Sequence, residues 1–117
     1  VTTGGMYSEV LVATRSLALE NIYSDIYSLR FIKPLDEKYF LEIAAKYDGI
    51  VFVEDGIISG GISEYLSCLC AKNGITNFCV NAFSEKFYPN GTRAQICKLA
   101  HISSADIKNS ALSLLKK

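Results

Sequence analysis

The residues best placed to do chemistry are Ser59-Gly60-Gly61, which follow a short apolar run and precede an amphipathic stretch. A glycine turn that opens a helix aims backbone N–H groups outward with partial positive charge, so this start could hold an anion such as a phosphate. The same glycines would also let a helix pack closely on the strand before it. Arg30 and Lys33, the latter just before Pro34, could likewise hold a phosphate or serve an interface, or else pair with Asp36 or Glu54. Glu54 and Asp55 are adjacent carboxylates at the end of the apolar run. General acid–base work needs partners of shifted pKa, and the sole histidine, His101, is far along the chain. Helix capping or a domain contact is therefore the better reading of these two acids. Arg93 reads as a surface or interface arginine and His101 as a C-terminal helix cap. No catalytic, cofactor-binding or metal-binding residue emerges.

The four cysteines, Cys68, Cys70, Cys79 and Cys97, do not form a metal pattern. Cys68 and Cys70 fall in a helical pattern, where side chains two apart diverge by about 200° and cannot readily share one metal or one bond. Reduced thiols and a cytoplasmic setting fit best.

Composition narrows the class. The chain has 117 residues, half of them hydrophobic and 21% charged, which is enough for one globular domain with a core. Twelve basic and twelve acidic side chains cancel, so neither a nucleic-acid footprint nor a basic membrane patch is indicated. No apolar run approaches the roughly 18 residues of a membrane span.

The pattern that would position these residues alternates strands and helices. Val1 to Gly5 reads as a strand end running into a glycine turn, so residues upstream are expected to be missing. Met6, Val10, Ala13 and Leu17 share one helix face, with Asn21 as its stop. Ser24 to Ile32 reads as a strand ended by Pro34. Asp36 caps a helix running to about Tyr47, with Phe40, Ile43, Ala44 and Tyr47 inward. Ile50 to Val53 reads as a strand buried on both faces, after which Glu54-Asp55-Gly56 leaves the sheet. Ser59-Gly60-Gly61 opens a helix stopped by Asn73-Gly74, and Asn77 to Ala82 is the last strand. Thr92 and Gln95 form a capping box for a fourth helix, and Ser103 or Ser104 caps a fifth. Such alternation implies right-handed crossovers and a parallel sheet.

Three segments in this order carry a family resemblance. Arg30-Phe-Ile-Lys-Pro-Leu-Asp36 matches an R-F-[VI]-K-P-L-D segment, and Val53-Glu54-Asp55-Gly56 with Gly60-Gly61 matches V-E-[ED]-x…G-G. Phe83 to Arg93 matches a stretch usually reading G-[LI]-P-D-x-F-[IV]-x-H-G-[ST]-R. There Ala82-Phe83-Ser84-Glu85 replaces G-[LI]-P-D, and Asn90 replaces the commoner histidine. Together they resemble the C-terminal domain of 1-deoxy-D-xylulose-5-phosphate synthases, thiamine-diphosphate enzymes of the transketolase superfamily.

The resemblance implies a three-layer α/β/α domain with a mostly parallel sheet. Its strands, beginning near Val1, Ser24, Gly49 and Asn77, would lie in the order two-one-three-four, with an antiparallel edge strand further upstream. Residues 1–117 would be one domain of a longer, cytoplasmic enzyme that condenses pyruvate with glyceraldehyde 3-phosphate, loses carbon dioxide and feeds isoprenoid and thiamine synthesis. Thiamine diphosphate and magnesium belong to that parent enzyme. The G-D-G…N element that holds them in the family has no counterpart here, so none is expected in this chain and the chain alone is expected to be inactive. Implied partners are the enzyme's other domains and a second subunit in a homodimer. The alternatives are the equivalent domain of another transketolase-like enzyme, or a stand-alone regulatory module binding a small anion at Ser59, Gly60 and Gly61.

Overall fold

The computed structural model describes residues 1–116. A 3₁₀ turn over Gly4–Met6 leads into α1 (Tyr7–Ala18), followed by α2 (Glu37–Ala44), β1 (Ile50–Ile57), α3 (Ile62–Lys72), β2 (Phe78–Phe83), α4 (Arg93–Leu99) and α5 (Ser104–Leu115). β1 and β2 pair in parallel, with Ile50 opposite Phe78 and Val53 opposite Asn81. Thr2 forms parallel bridges to Ser28 on one side and to Val53 on the other. The lateral order is therefore Ser28, Thr2, β1, β2, which is the two-one-three-four arrangement.

Alternation along β1 divides the core into two layers, one on each face of the sheet. Val53 packs with Met6, Val10, Ala13, Cys97, Ile102 and Ile107, which come from α1, α4, α5 and the segments flanking them. Ile50 and Phe52 pack with Phe40 and Ala44 of α2 and Leu66 and Cys70 of α3. This is the three-layer α/β/α fold with a parallel sheet. No helix among the described residues is long and apolar enough to cross a membrane.

Two elements differ from the sequence reading. The Ser24 to Ile32 segment is bonded to the sheet, among the described residues, through Thr2 alone, which donates to Tyr27 O at 2.9 Å and accepts from Leu29 N–H at 2.8 Å. Ile26 and Leu29 pack against the two core layers, but Phe31 is 70% exposed and the segment has no ladder to extend. Conversely, β1 does not end at Val53. An irregularity in register between Val53 and Ile57 lets the strand carry Glu54-Asp55-Gly56 and rejoin β2, and Ile58 N–H reaches Phe83 O at 2.8 Å.

Three helices end on one device. Asn21, Gly74 and His101 have positive φ, and the isoleucine after each donates back into the helix: Ile22 to Leu17 O, Ile75 to Cys70 O and Ile102 to Cys97 O. This is the six-to-one bond of a left-handed helix terminus, and it satisfies carbonyls that the helix leaves bare. His101 does act at a helix end, but through its backbone φ of 56°; its ring is largely exposed, 3.8 Å from Asp106.

α2 stops at Ala44 because Lys46 and Tyr47 donate to carbonyls only three residues back. Tyr47 then donates to Asp25 Oδ2 at 2.6 Å and lies 3.2 Å from the Tyr27 hydroxyl. The bonds to Asp25 and Tyr27 hold the Tyr47 phenol above its usual range, and the bond to Glu37 does the same for Tyr65. Burial likewise raises the thiols of Cys70 and Cys97. Each is an acid whose folded pKa lies above its unfolded one. Folding thus favours the protonated form, and that stabilisation is complete below the unfolded pKa and lost as pH rises through the folded one. We expect these groups to lower the unfolding midpoint progressively above about pH 9. Urea melts across pH check this, and a midpoint that rises above pH 9 would contradict it.

Candidate functional site at the C-terminal edge of the sheet

In a parallel sheet all strands leave at one edge, and the loops there are where such folds place ligands and partners. That edge gathers the Thr3-Gly4-Gly5 turn, the Arg30–Asp36 segment, the end of β1, the Ser59–Gly61 turn and the loop before α4. Its centre is the pair Glu54-Asp55. Successive residues of a strand point to opposite faces, so the two carboxylates serve different helices.

Glu54 is 4% exposed. Its two oxygens accept the N–H groups of Ile62 at 3.2 Å and Ser63 at 3.1 Å, the first donors of α3. The helix start therefore already holds an anion, and that anion is part of the chain. Gly61 makes room for it: a Cβ there would lie 2.2 Å from Glu54 Oε1 and 2.5 Å from the Ile57 carbonyl oxygen. Gly60 has a different task, a φ of +81°, and its N–H is taken by Glu64 Oε2 at 2.6 Å. Ser59 is exposed.

Asp55 points the other way. Its Oδ2 lies 3.2 Å from Arg93 Nη2, and the same nitrogen donates to Gly5 O at 2.7 Å and contacts Met6 Sδ at 3.4 Å. Here too a glycine accommodates the acid, since a Cβ on Gly5 would lie 1.9 Å from Asp55 Oδ2. Arg93 thus ties the first turn, the end of β1 and the start of α4 together. The ion pair is about half exposed, so its contribution is positional more than energetic, about 1 kcal/mol at most. The α4 start carries the expected capping box between Thr92 and Gln95, and Ser103 with Asp106 forms a second box at α5.

Arg30 and Lys33 are exposed and form no ion pair among the described residues. Neither reaches Asp36 or Glu54: Asp36 accepts the Tyr39 N–H at 3.0 Å, and Glu54 is committed to α3. Asn90 is exposed on the loop before α4. The sequence offered no local signal for the Arg93–Gly5 contact across 88 positions, nor for Glu9, which caps the Ser104 N–H at 2.9 Å across 95.

The chain belongs to the family described as the transketolase C-terminal domain, which it matches over residues 1–107. It is 43% identical over 116 residues to a protein named 1-deoxy-D-xylulose-5-phosphate synthase from Treponema pallidum, spanning 98% of this chain and 18% of that one. The synthase of the same name from Natranaerobius thermophilus is 30% identical over 119 residues, spanning 99% of this chain and 19% of its own length. The region matched is the C-terminal part of those synthases. A split-gene transketolase solved as an inactive beta4 tetramer superposes with a TM-score of 0.88 at 16% identity, covering 98% of this chain and 38% of that one. At that identity the likeness concerns the fold.

The chain thus spans about a fifth of the length of the curated relatives it matches. The resemblance implied thiamine diphosphate with magnesium as the cofactor of a parent enzyme. The residues here do not fit the magnesium–diphosphate end of that cofactor. Among the described residues no three His, Cys, Asp or Glu side chains are grouped to hold a metal, and the helix start that could cradle a diphosphate is filled by Glu54.

Proposed function

We propose that residues 1–117 are the single C-terminal domain of a cytoplasmic 1-deoxy-D-xylulose-5-phosphate synthase, and that the domain supports the enzyme without touching its reacting atoms. The parent enzyme would condense pyruvate with glyceraldehyde 3-phosphate and release carbon dioxide, as a homodimer, with thiamine diphosphate bound by its other domains. The observation that carries this reading is the 43% identity across 98% of the chain. In this reading Gly60 and Gly61 serve the chain's own Glu54. Exposed Arg30 and Lys33 lie on the surface that meets the rest of the enzyme, with Phe31 at 70% exposure between them.

The test is a chimaera in which this chain replaces the matching segment of the Treponema pallidum synthase. Retained synthase activity is the expected result; a folded but inactive chimaera would overturn the assignment. For the chain alone we expect no heat of binding with thiamine diphosphate and magnesium. Micromolar binding in calorimetry would place part of the active site here and refute the supporting role.

A further inference from the structure

We propose that the groove between β2 and α5 is a binding site for a primary ammonium group carried by a small organic molecule. The proposal rests on this groove alone and does not depend on the enzyme assignment.

The groove has a volume of about 490 Å³, with Val80 and Asn81 on its sheet wall and Asp106, Ser110 and Leu114 on its α5 wall. That volume is in the range of small-molecule sites. Register sets what the sheet presents to it. Asn81 stands opposite Val53 in the parallel ladder, and paired residues of neighbouring strands share a face. Val53 packs in one cluster with Ile107 of α5, so the Asn81 side chain enters the layer between sheet and α5. It is 8% exposed there. Its Nδ2 donates to His101 O at 3.3 Å, which orients the amide and leaves Oδ1 buried without a donor. Buried polar atoms are nearly always paired, so an unpaired acceptor on a cavity wall marks a partner yet to arrive.

A second oxygen of the groove is unspent. The α5 cap uses one oxygen of Asp106: Oδ2 accepts both the Ser103 N–H, at 3.0 Å, and the Ser103 hydroxyl. The cap thereby fixes the carboxylate while Oδ1 has only the His101 ring at 3.8 Å, beyond hydrogen-bond distance. The lysine of α5, Lys108, is committed to Glu20 at 2.5 Å, and no Lys or Arg among the described residues lines the groove. The ladder adds a third acceptor. Asn77 O accepts from Ile50 N–H, and the alternation of a parallel ladder then turns the Val80 carbonyl away from β1, toward the rim of the groove.

The surplus is of acceptors, with one negative charge and no cation to meet it. A primary ammonium supplies three N–H donors on one compact positive centre. A guanidinium is a planar fork suited to the paired oxygens of a single group, whereas these oxygens belong to an amide on the sheet and a carboxylate on the helix. A neutral hydroxyl leaves the Asp106 charge unmatched. A metal ion needs a denser set of ligands, and among the described residues no three His, Cys, Asp or Glu side chains are grouped. Ala100 and Leu114 on the groove walls offer apolar surface to the carbon skeleton of the ligand.

The test is an NMR titration of the isotope-labelled chain. Propylammonium chloride at millimolar concentrations should shift the Asn81 side-chain amide and the Ser110 main-chain amide saturably. Tetramethylammonium, which has the charge without an N–H, should bind at least ~10-fold more weakly. Asp106→Asn keeps an oxygen for the Ser103 N–H and removes the charge, so it should weaken propylammonium about 10-fold. Glu42→Gln, an exposed position on α2 across the sheet, should leave the affinity unchanged. Ser110→Leu fills the groove at a helical position where leucine is well tolerated, and should abolish the shifts. If Asp106→Asn does not fold, Ser110→Leu and the comparison of the two cations still decide. Absence of saturable shifts, equal binding of the two cations, or a folded Asp106→Asn or Ser110→Leu of unchanged affinity each overturns the proposal. A capped tripeptide with a central lysine that binds more tightly than propylammonium would give the site to a lysine side chain of another protein and overturn the small-molecule assignment.

Discussion

Gly61→Val should lower the stability of this domain by about 3 kcal/mol, through a clash combined with a lost helix cap. The first atom of any side chain at Gly61 would meet Glu54 Oε1 at 2.2 Å and the Ile57 carbonyl oxygen at 2.5 Å. The carboxylate can swing away only by abandoning the N–H groups of Ile62 and Ser63, and the carbonyl is main chain. Denaturant melts should show a lower midpoint at similar slope. Gly60→Ala is the internal control. It has open space but a φ of +81°, so the cost is the left-handed backbone alone, about 1 kcal/mol. Should Gly60→Ala prove as damaging as Gly61→Ala, the steric account of Gly61 fails.

Glu54→Ala should cost a similar amount, about 3 kcal/mol, because it strands the first donors of α3 where water does not easily replace the carboxylate. Glu54→Gln should cost less, since the amide keeps one accepting oxygen. The same variants separate an internal from an external anion at this helix start. With Glu54 in place, tens of millimolar phosphate should raise the unfolding midpoint no more than chloride of equal ionic strength. A phosphate-specific stabilisation of the unaltered chain, lost in Gly61→Val, would make Ser59-Gly60-Gly61 a site for an external ligand and displace Glu54 from the role given to it.

The helices follow largely from local patterns, whereas the sheet order came from the family resemblance. Apolar spacing marks α1, α3 and α5, Asp36 and Thr92 mark helix starts, and Asn73-Gly74 marks a stop, because each rests on bonds within a few residues. The family, too, was legible, in three short segments whose order and spacing are specific. Where local pattern misled, tertiary context had the deciding energy. Ser24 to Ile32 carries enough apolar residues for a strand, yet only Thr2 is beside it to pair with. β1 outruns its apolar stretch because β2 continues alongside and Glu54 has donors waiting in α3.

The sequence by itself determined which residues are present at the sheet's C-terminal edge: two acids in a row, two pairs of glycines and an arginine after a capping threonine. It also raised both uses of the Gly60-Gly61 turn, an anion site and close packing. Only the tertiary structure shows what that turn faces, the Glu54 carboxylate on the first N–H groups of α3. A helix N-terminus attracts negative charge from any source, and whether that source is a ligand or the preceding strand depends on where a carboxylate points. The alternation of β1 aims Glu54 at α3 and Asp55 at Arg93 and Gly5, contacts that join residues up to 88 positions apart, a separation at which spacing in the chain carries no information about distance in space.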